Sequence, residues 1–139
     1  MSTWSRIEAE RAFDRAKRAR RRASLVRRLR GCAEGTRLAV FDGLALRSSA
    51  AGAGVHEIAL DAIAGTVEPN RAEQFDPSFR PAARTRCRWL RIWEASARGT
   101  ALPPVSLVRV GDTYAVRDGH HRVSVAKARG AVAIHAIVA

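Results

Sequence analysis

Five consecutive residues carry the densest chemistry in this chain: Asp118, Gly119, His120, His121 and Arg122. A carboxylate, two imidazoles and a guanidinium stand around one glycine. Imidazole changes charge near neutral pH and can move a proton. Guanidinium offers a planar fork of donors that matches phosphate oxygens. Glycine accepts backbone angles that other residues avoid, so Asp118-Gly119 reads as a turn. A helix that starts at this turn has first N–H groups without internal partners, and these favour an anion. The five residues therefore predict an anion site, with phosphate as its first ligand.

Two uses of the turn compete. In one, His120 takes a proton from water or a hydroxyl, with Asp118 beside it. In the other, His121 hydrogen-bonds within the turn and Asp118 caps the helix. Adjacent histidines are expected to point to different sides. One carboxylate can share Mg2+ with bound phosphates but makes a poor free-standing cage. A two-metal nuclease would need further acids, for which Glu68, Glu73 and Asp76 are candidates.

The elements that must hold the turn follow from periodicity. Tyr114 to Arg117 alternates and favours a strand. It pairs with Val105 to Val110 through a two-residue turn, Gly111-Asp112. A helix runs from His121 to Arg129 and stops at Gly130. Val132, Ile134, Ala136 and Val138 alternate as a final strand. Upstream, Val55 to Leu60 predicts a strand, and residues 61–66 a turn with a short extended piece. Residues 68–71 predict a loop. Phe75 and Phe79 would pin an irregular stretch that ends at Pro81. Pro81 suits the first helical position, with a helix from Ala82 to Arg98. Its inner face is expected to hold Ala83, Cys87, Leu90 and Ala97, widened by Trp89 and Trp93 as core residues. Ser124 is expected to face backbone. His56 and His135 lie in strands and receive no role.

Residues 3–30 predict one long helix, closed by Gly31. Ala9, Ala12, Phe13, Ala16, Ala19, Ala23 and Val26 make a narrow apolar stripe. The first 30 residues hold 11 Lys/Arg against three acids, so most of the chain's net +12 lies there. A pI near 11.6 implies polyanionic partners, nucleic acid first and an anionic membrane surface second. The expected contacts are Arg15, Lys17, Arg18, Arg20, Arg21, Arg22, Arg27 and Arg28, with Arg84, Arg88 and Arg91 from the second helix. The plainer alternative is a solvated arm whose alanine stripe packs on the domain or on a second copy. Leu38 to Phe41 is a short strand or a helical turn, and residues 48–54 a small-residue linker. The boundary predicted is 1–54, helix and linker, against 55–139, the domain.

Other classes are disfavoured. With 47% apolar residues the chain can build a core. Cys32 and Cys87 show no metal-ligand spacing, which suggests a reduced setting. No apolar run approaches the roughly 18 residues of a membrane span, and the N-terminus lacks a secretion signal. The expected location is cytoplasmic.

The ordered series resembles the ParB/sulfiredoxin-like superfamily, specifically the ParB N-terminal domain, over roughly residues 55–139. The resemblance rests on Ile58 to Ile63, on Pro69-Asn70-Arg71 through Asp76, on Leu102 to Val105, on Tyr114 to Gly130, and on Ile134 to Val138. It implies an α+β fold: a small mixed sheet with packed helices, here preceded by the long basic helix. It also implies nucleoside triphosphate binding, CTP or ATP with Mg2+, slow hydrolysis, and a nucleotide-gated grip on DNA in chromosome or plasmid partition. By resemblance, Gly119, His120, His121 and Arg122 fall on the phosphate-binding turn, and Arg71 on an arginine that faces the phosphates. His120 stands where sulfiredoxins carry their reactive cysteine, so that chemistry is not expected. It also stands where ParB proteins commonly carry an acid that helps hold Mg2+. No helix-turn-helix domain follows the last strand, so sequence-specific centromere reading is not expected.

Three functions follow. The first is a nucleotide-binding module on nucleic acid, DNA before RNA, acting as a weak NTPase switch. The second is a nuclease or phosphotransferase with His120 as base and Arg71 and Arg122 stabilising charge on phosphorus. The third is a basic nucleic-acid binder without catalysis. A homodimer is compatible with each.

Overall fold

A computed structural model describes residues 3–31, 36–42 and 54–139. Helix α1 (Thr3–Leu29) is the long basic helix that the charge pattern predicts. Arg and Ala dominate it, and each loses little freedom in a helix. Its stripe turns inward only in the first half, where Ala9, Ala12 and Phe13 are buried. Val26 is exposed instead. The proposed linker lies outside the described residues except for Gly54, as does Cys32.

The fold is α+β. Among the described residues, six strands make one mixed sheet: β1 (Ala39–Val40), β2 (Val55–Ala59), β3 (Ile63–Thr66), β4 (Val105–Val110), β5 (Thr113–Asp118) and β6 (Ala133–Val138). Their order is β1-β3-β5-β4-β6-β2. β4 and β5 form the expected antiparallel hairpin, and β2 pairs antiparallel with β6. The other neighbours, β1 with β3, β3 with β5 and β4 with β6, are parallel. Of the two readings of Leu38 to Phe41, the strand is correct. Leu38 is buried, and β1 lies so close to β3 that a Cβ on Gly65 would meet the Ala39 carbonyl.

Helix α2 (Arg86–Ala97) starts later than Pro81 predicts. Residues 82–85 are occupied otherwise. The Ala82 N–H donates to the Gln74 carbonyl, and Ala83–Thr85 is a separate 3-10 turn. The late start goes with a turned inner face. Trp89, Leu90, Trp93 and Glu94 are buried, whereas Ala83, Cys87 and Ala97 are exposed. Cys87 lies about 200° round the helix from Trp89, so both cannot face the same core. The tryptophans are core residues, stacked with ring centroids 5.4 Å apart. Buried Glu94 is met by Arg6 of α1, Nη1 to Oε1 3.0 Å.

Helix α3 (His120–Ala128) runs between two apolar clusters. Val123 joins the sheet cluster with Phe75, Phe79, Val105 and Leu107. Val125 joins a helical cluster with Ala9, Phe13, Trp89 and Trp93. The basic N-terminal helix therefore shares a core with α2 and α3. Ser124, as expected, faces backbone: it donates to the Phe79 carbonyl at 2.5 Å and accepts from Trp89 Nε1 at 2.9 Å.

Candidate anion site at the Gly119 turn

β5 delivers the chain to Asp118, and α3 begins two residues later. Gly119 makes the reversal with φ 108° and ψ 25°, in the left-handed region. Space also demands glycine here, because a Cβ would lie 2.5 Å from Val105 Cγ1. The turn is thus pressed against β4. The amides of His120, His121 and Arg122 form the first turn of α3 and have no partner within the helix.

Both histidines are buried, and both pack on Phe75, contrary to the expectation of different sides. His120 stacks on that ring at 6.3 Å, and His121 meets its edge at 5.2 Å. Consecutive helical residues diverge by only about 100°, and Phe75 fills the angle between them. His120 Nε2 lies 2.6 Å from Thr66 Oγ1, as donor or acceptor according to its tautomer. Thr66 in turn accepts the Glu68 N–H at 2.8 Å. Burial, then the charges of Arg71 and His121, pushes His120 down to about 4. Burial, then Arg88 and Arg71, does the same to His121. Both imidazoles are neutral at pH 7.

Arg122 is largely committed within the protein. Nη1 donates to the Pro103 and Pro104 carbonyls at 2.6 and 3.1 Å, and Nη2 to Asp118 at 3.2 Å. It latches the turn to the segment entering β4. Asp118 consequently pairs with Arg122 rather than capping the helix, where no side-chain cap forms.

The histidines and Arg122 border a cavity of about 400 Å³ whose other walls are Glu68, Arg71, Arg88, Ile92, Arg117, Asp118 and Gly119. Arg71 comes from the 3-10 turn Pro69–Gln74. Its Nη1 makes a long contact, 3.4 Å, with Gln74. Arg88, assigned from sequence to nucleic acid, faces this cavity. Sequence reasoning missed Arg117 and Thr66. Arg117 is the outward residue of an alternating strand just before the turn, which is a usable signal. Thr66 is placed by parallel pairing of β3 with β5, and nothing local marks it.

The other proposed acids do not assemble here. Asp76 is buried and accepts the Ser78 and Arg80 N–H groups at 2.9 and 2.8 Å, plus Arg80 Nη1 at 3.2 Å. Glu73 sits between Arg37 and Arg84, at 3.8 and 3.7 Å. Among the described residues no group of three or more His, Cys, Asp or Glu could hold a metal. Among the described residues, Glu68 and Asp118 are the acids that line the cavity.

The basic residues of α1 divide. Arg18, Arg21 and Arg28 are exposed. Arg20 and Arg27 turn inward: Arg20 Nη2 reaches the Glu73 carbonyl at 3.4 Å, and Arg27 Nη2 lies 3.9 Å from Asp76. Lys17 lies over the Phe13 ring at 6.0 Å. Arg15 and Arg22 line a separate cavity. Arg84 pairs with Glu73, while Arg91 is exposed. Among the described residues no helix is long and apolar enough to cross a membrane.

No family model matches this chain, and no curated protein does. Among solved structures, the sulfiredoxin of Arabidopsis thaliana is similar at a TM-score of 0.42, with 18% identity over 62% of this chain and 84% of that one.

Proposed function

We propose that the Gly119 cavity binds the phosphates of a nucleotide, CTP or ATP, and that the chain is a ParB-like binding module that associates with nucleic acid. One observation carries this reading: three guanidiniums, Arg71, Arg88 and Arg117, converge on the same 400 Å³ cavity as the open first turn of α3. Anion charge there is favoured by the donors and by the helix terminus together. The neutral histidines add hydrogen-bonding groups without adding charge. Glu68 and Asp118 suit a Mg2+ that the phosphates also hold.

Binding is favoured over turnover. A base whose conjugate acid has a pKa near 4 is weak at neutral pH, and His120 is further engaged by Thr66. A nuclease or phosphotransferase with His120 as base is therefore the second reading.

The test is calorimetric titration with CTP, ATP and GTP, with and without Mg2+. At least one is expected to bind, and Arg71→Ala and Arg88→Ala should each weaken it about tenfold or more. Absence of binding by all three would end the nucleotide reading. Hydrolysis that disappears in His120→Ala would promote the second one.

A further inference from the structure

We infer that a second phosphate site, separate from the Gly119 turn, lies in the seam where α1 crosses α3 and the 78–81 loop. A cavity of about 390 Å³ opens there. Four cations line it: Arg15 and Arg22 from α1, Arg80 from the loop and Lys127 from the last turn of α3. Among the described residues none lining it is acidic.

The placement of each charge has a cause. Arg15 and Arg22 are seven residues apart, about two turns or roughly 10 Å along one helical side. Between them α1 carries Ala16 and Ala19, whose short side chains leave the volume open. Arg80 is held on the wall by Asp76 at 3.2 Å. Asp76 is itself buried and committed to backbone N–H groups, so it anchors Arg80 without entering the cavity. Lys127 Nζ lies over the Phe79 ring at 5.4 Å. Burial pushes this amine below its usual range, and Arg80 adds to that, although Asp61 and Asp76 pull the other way.

Like charges around one cavity repel one another, and partial burial strips Arg80 and Lys127 of water while Arg15 and Arg22 stay exposed. An anion carrying about two charges offsets both costs. Guanidinium forks on two walls and a point-charge ammonium on a third suit the oxygens of a phosphate ester. Because the site takes charges from α1 and from the core, its occupant would also fasten the helix in place.

Lysine acetylation tests this directly, since Lys17 and Lys127 are the only lysines. The full chain is treated with an amine-acylating reagent, with and without inorganic pyrophosphate, and each lysine is followed by mass spectrometry. Pyrophosphate is expected to slow Lys127 at least fivefold and Lys17 little. The double variant Arg15→Ala/Arg22→Ala, both exposed residues, should lose that protection while keeping its melting temperature. Arg71→Ala should keep it, which separates this site from the Gly119 cavity. Equal slowing of both lysines, protection that survives the double variant, or protection lost in Arg71→Ala would each overturn the inference. A parallel arm with a short DNA duplex assigns the source. Protection by pyrophosphate indicates a small phosphate compound, and protection by the duplex alone indicates a nucleic-acid backbone.

Discussion

His120 and His121 show how burial, reinforced by nearby guanidiniums, can retune a residue. Each sits against Phe75 and is driven to about 4, below the ordinary imidazole value of 6.5. Between those two values the unfolded chain binds more protons than the folded one. Stability is therefore fully present above about pH 6.5 and is lost as pH falls towards 4. The expected loss is up to about 3 kcal/mol per imidazole. Urea midpoints measured from pH 7.5 to 4.5 should fall through this window, and His121→Phe should flatten the fall. Imidazole NMR shifts for both residues should still report the neutral form at pH 5.5. Gly119 is a second single-residue dependence. Gly119→Ala places a Cβ at φ 108° against Val105, and should cost about 2–4 kcal/mol in urea unfolding while abolishing phosphate binding. A variant with unchanged stability would show that the turn can relax.

At the scale of elements, α1 acts as part of the core. Phe13 is fully buried and meets Trp89 edge-on at 5.4 Å. Phe13→Ala should cost about 3–5 kcal/mol, and Trp fluorescence should shift red as water reaches Trp89. Cutting α1 away would expose the Trp89-Trp93 stack, so a 55–139 fragment should be aggregation-prone. A fragment that stays monomeric with a native-like melting transition would contradict this. These elements also show what sequence can and cannot tell. The hairpin of β4 and β5, the Gly119 turn and α3 are legible because alternation, turn glycines and a helical period all agree locally. The inner face of α2 is not, because its start is set by Ala82 bonding to Gln74, a contact between loops. Arg122 has the right chemistry for phosphate, but its fork is taken by the carbonyls of Pro103 and Pro104, which only the folded chain brings near. Of the candidate site, the turn is visible in sequence. Arg88 stands out there only as one more cation of a basic helix, and Arg117 and Thr66 emerge only from the packing.

Across the whole molecule, charge is the dominant property: 25 Lys/Arg against 13 acids. Nucleic-acid binding, if it follows the α1 surface, should weaken steeply with salt. Replacing exposed Arg18, Arg21 and Arg28 by Gln should weaken duplex binding and flatten the log–log salt slope by about 0.9 for each phosphate that is no longer neutralised. Inward-facing Arg20 and Arg27 are expected to affect folding more than the slope. A triple variant that binds as before would move the interface elsewhere.

The strand order has a consequence for synthesis. β1, β2 and β3 are made first, yet β1 and β2 lie at opposite edges of the sheet, and the middle is filled by β5 and β4. Among the described strands β2 pairs only with β6, the last of them. A chain still emerging from the ribosome therefore holds edges without a centre, and α1 waits with Phe13 uncovered until Trp89 appears. During that interval the nascent polypeptide carries its most cationic segment unprotected. Ribosomal RNA, the nearest polyanion, is the first surface it would meet.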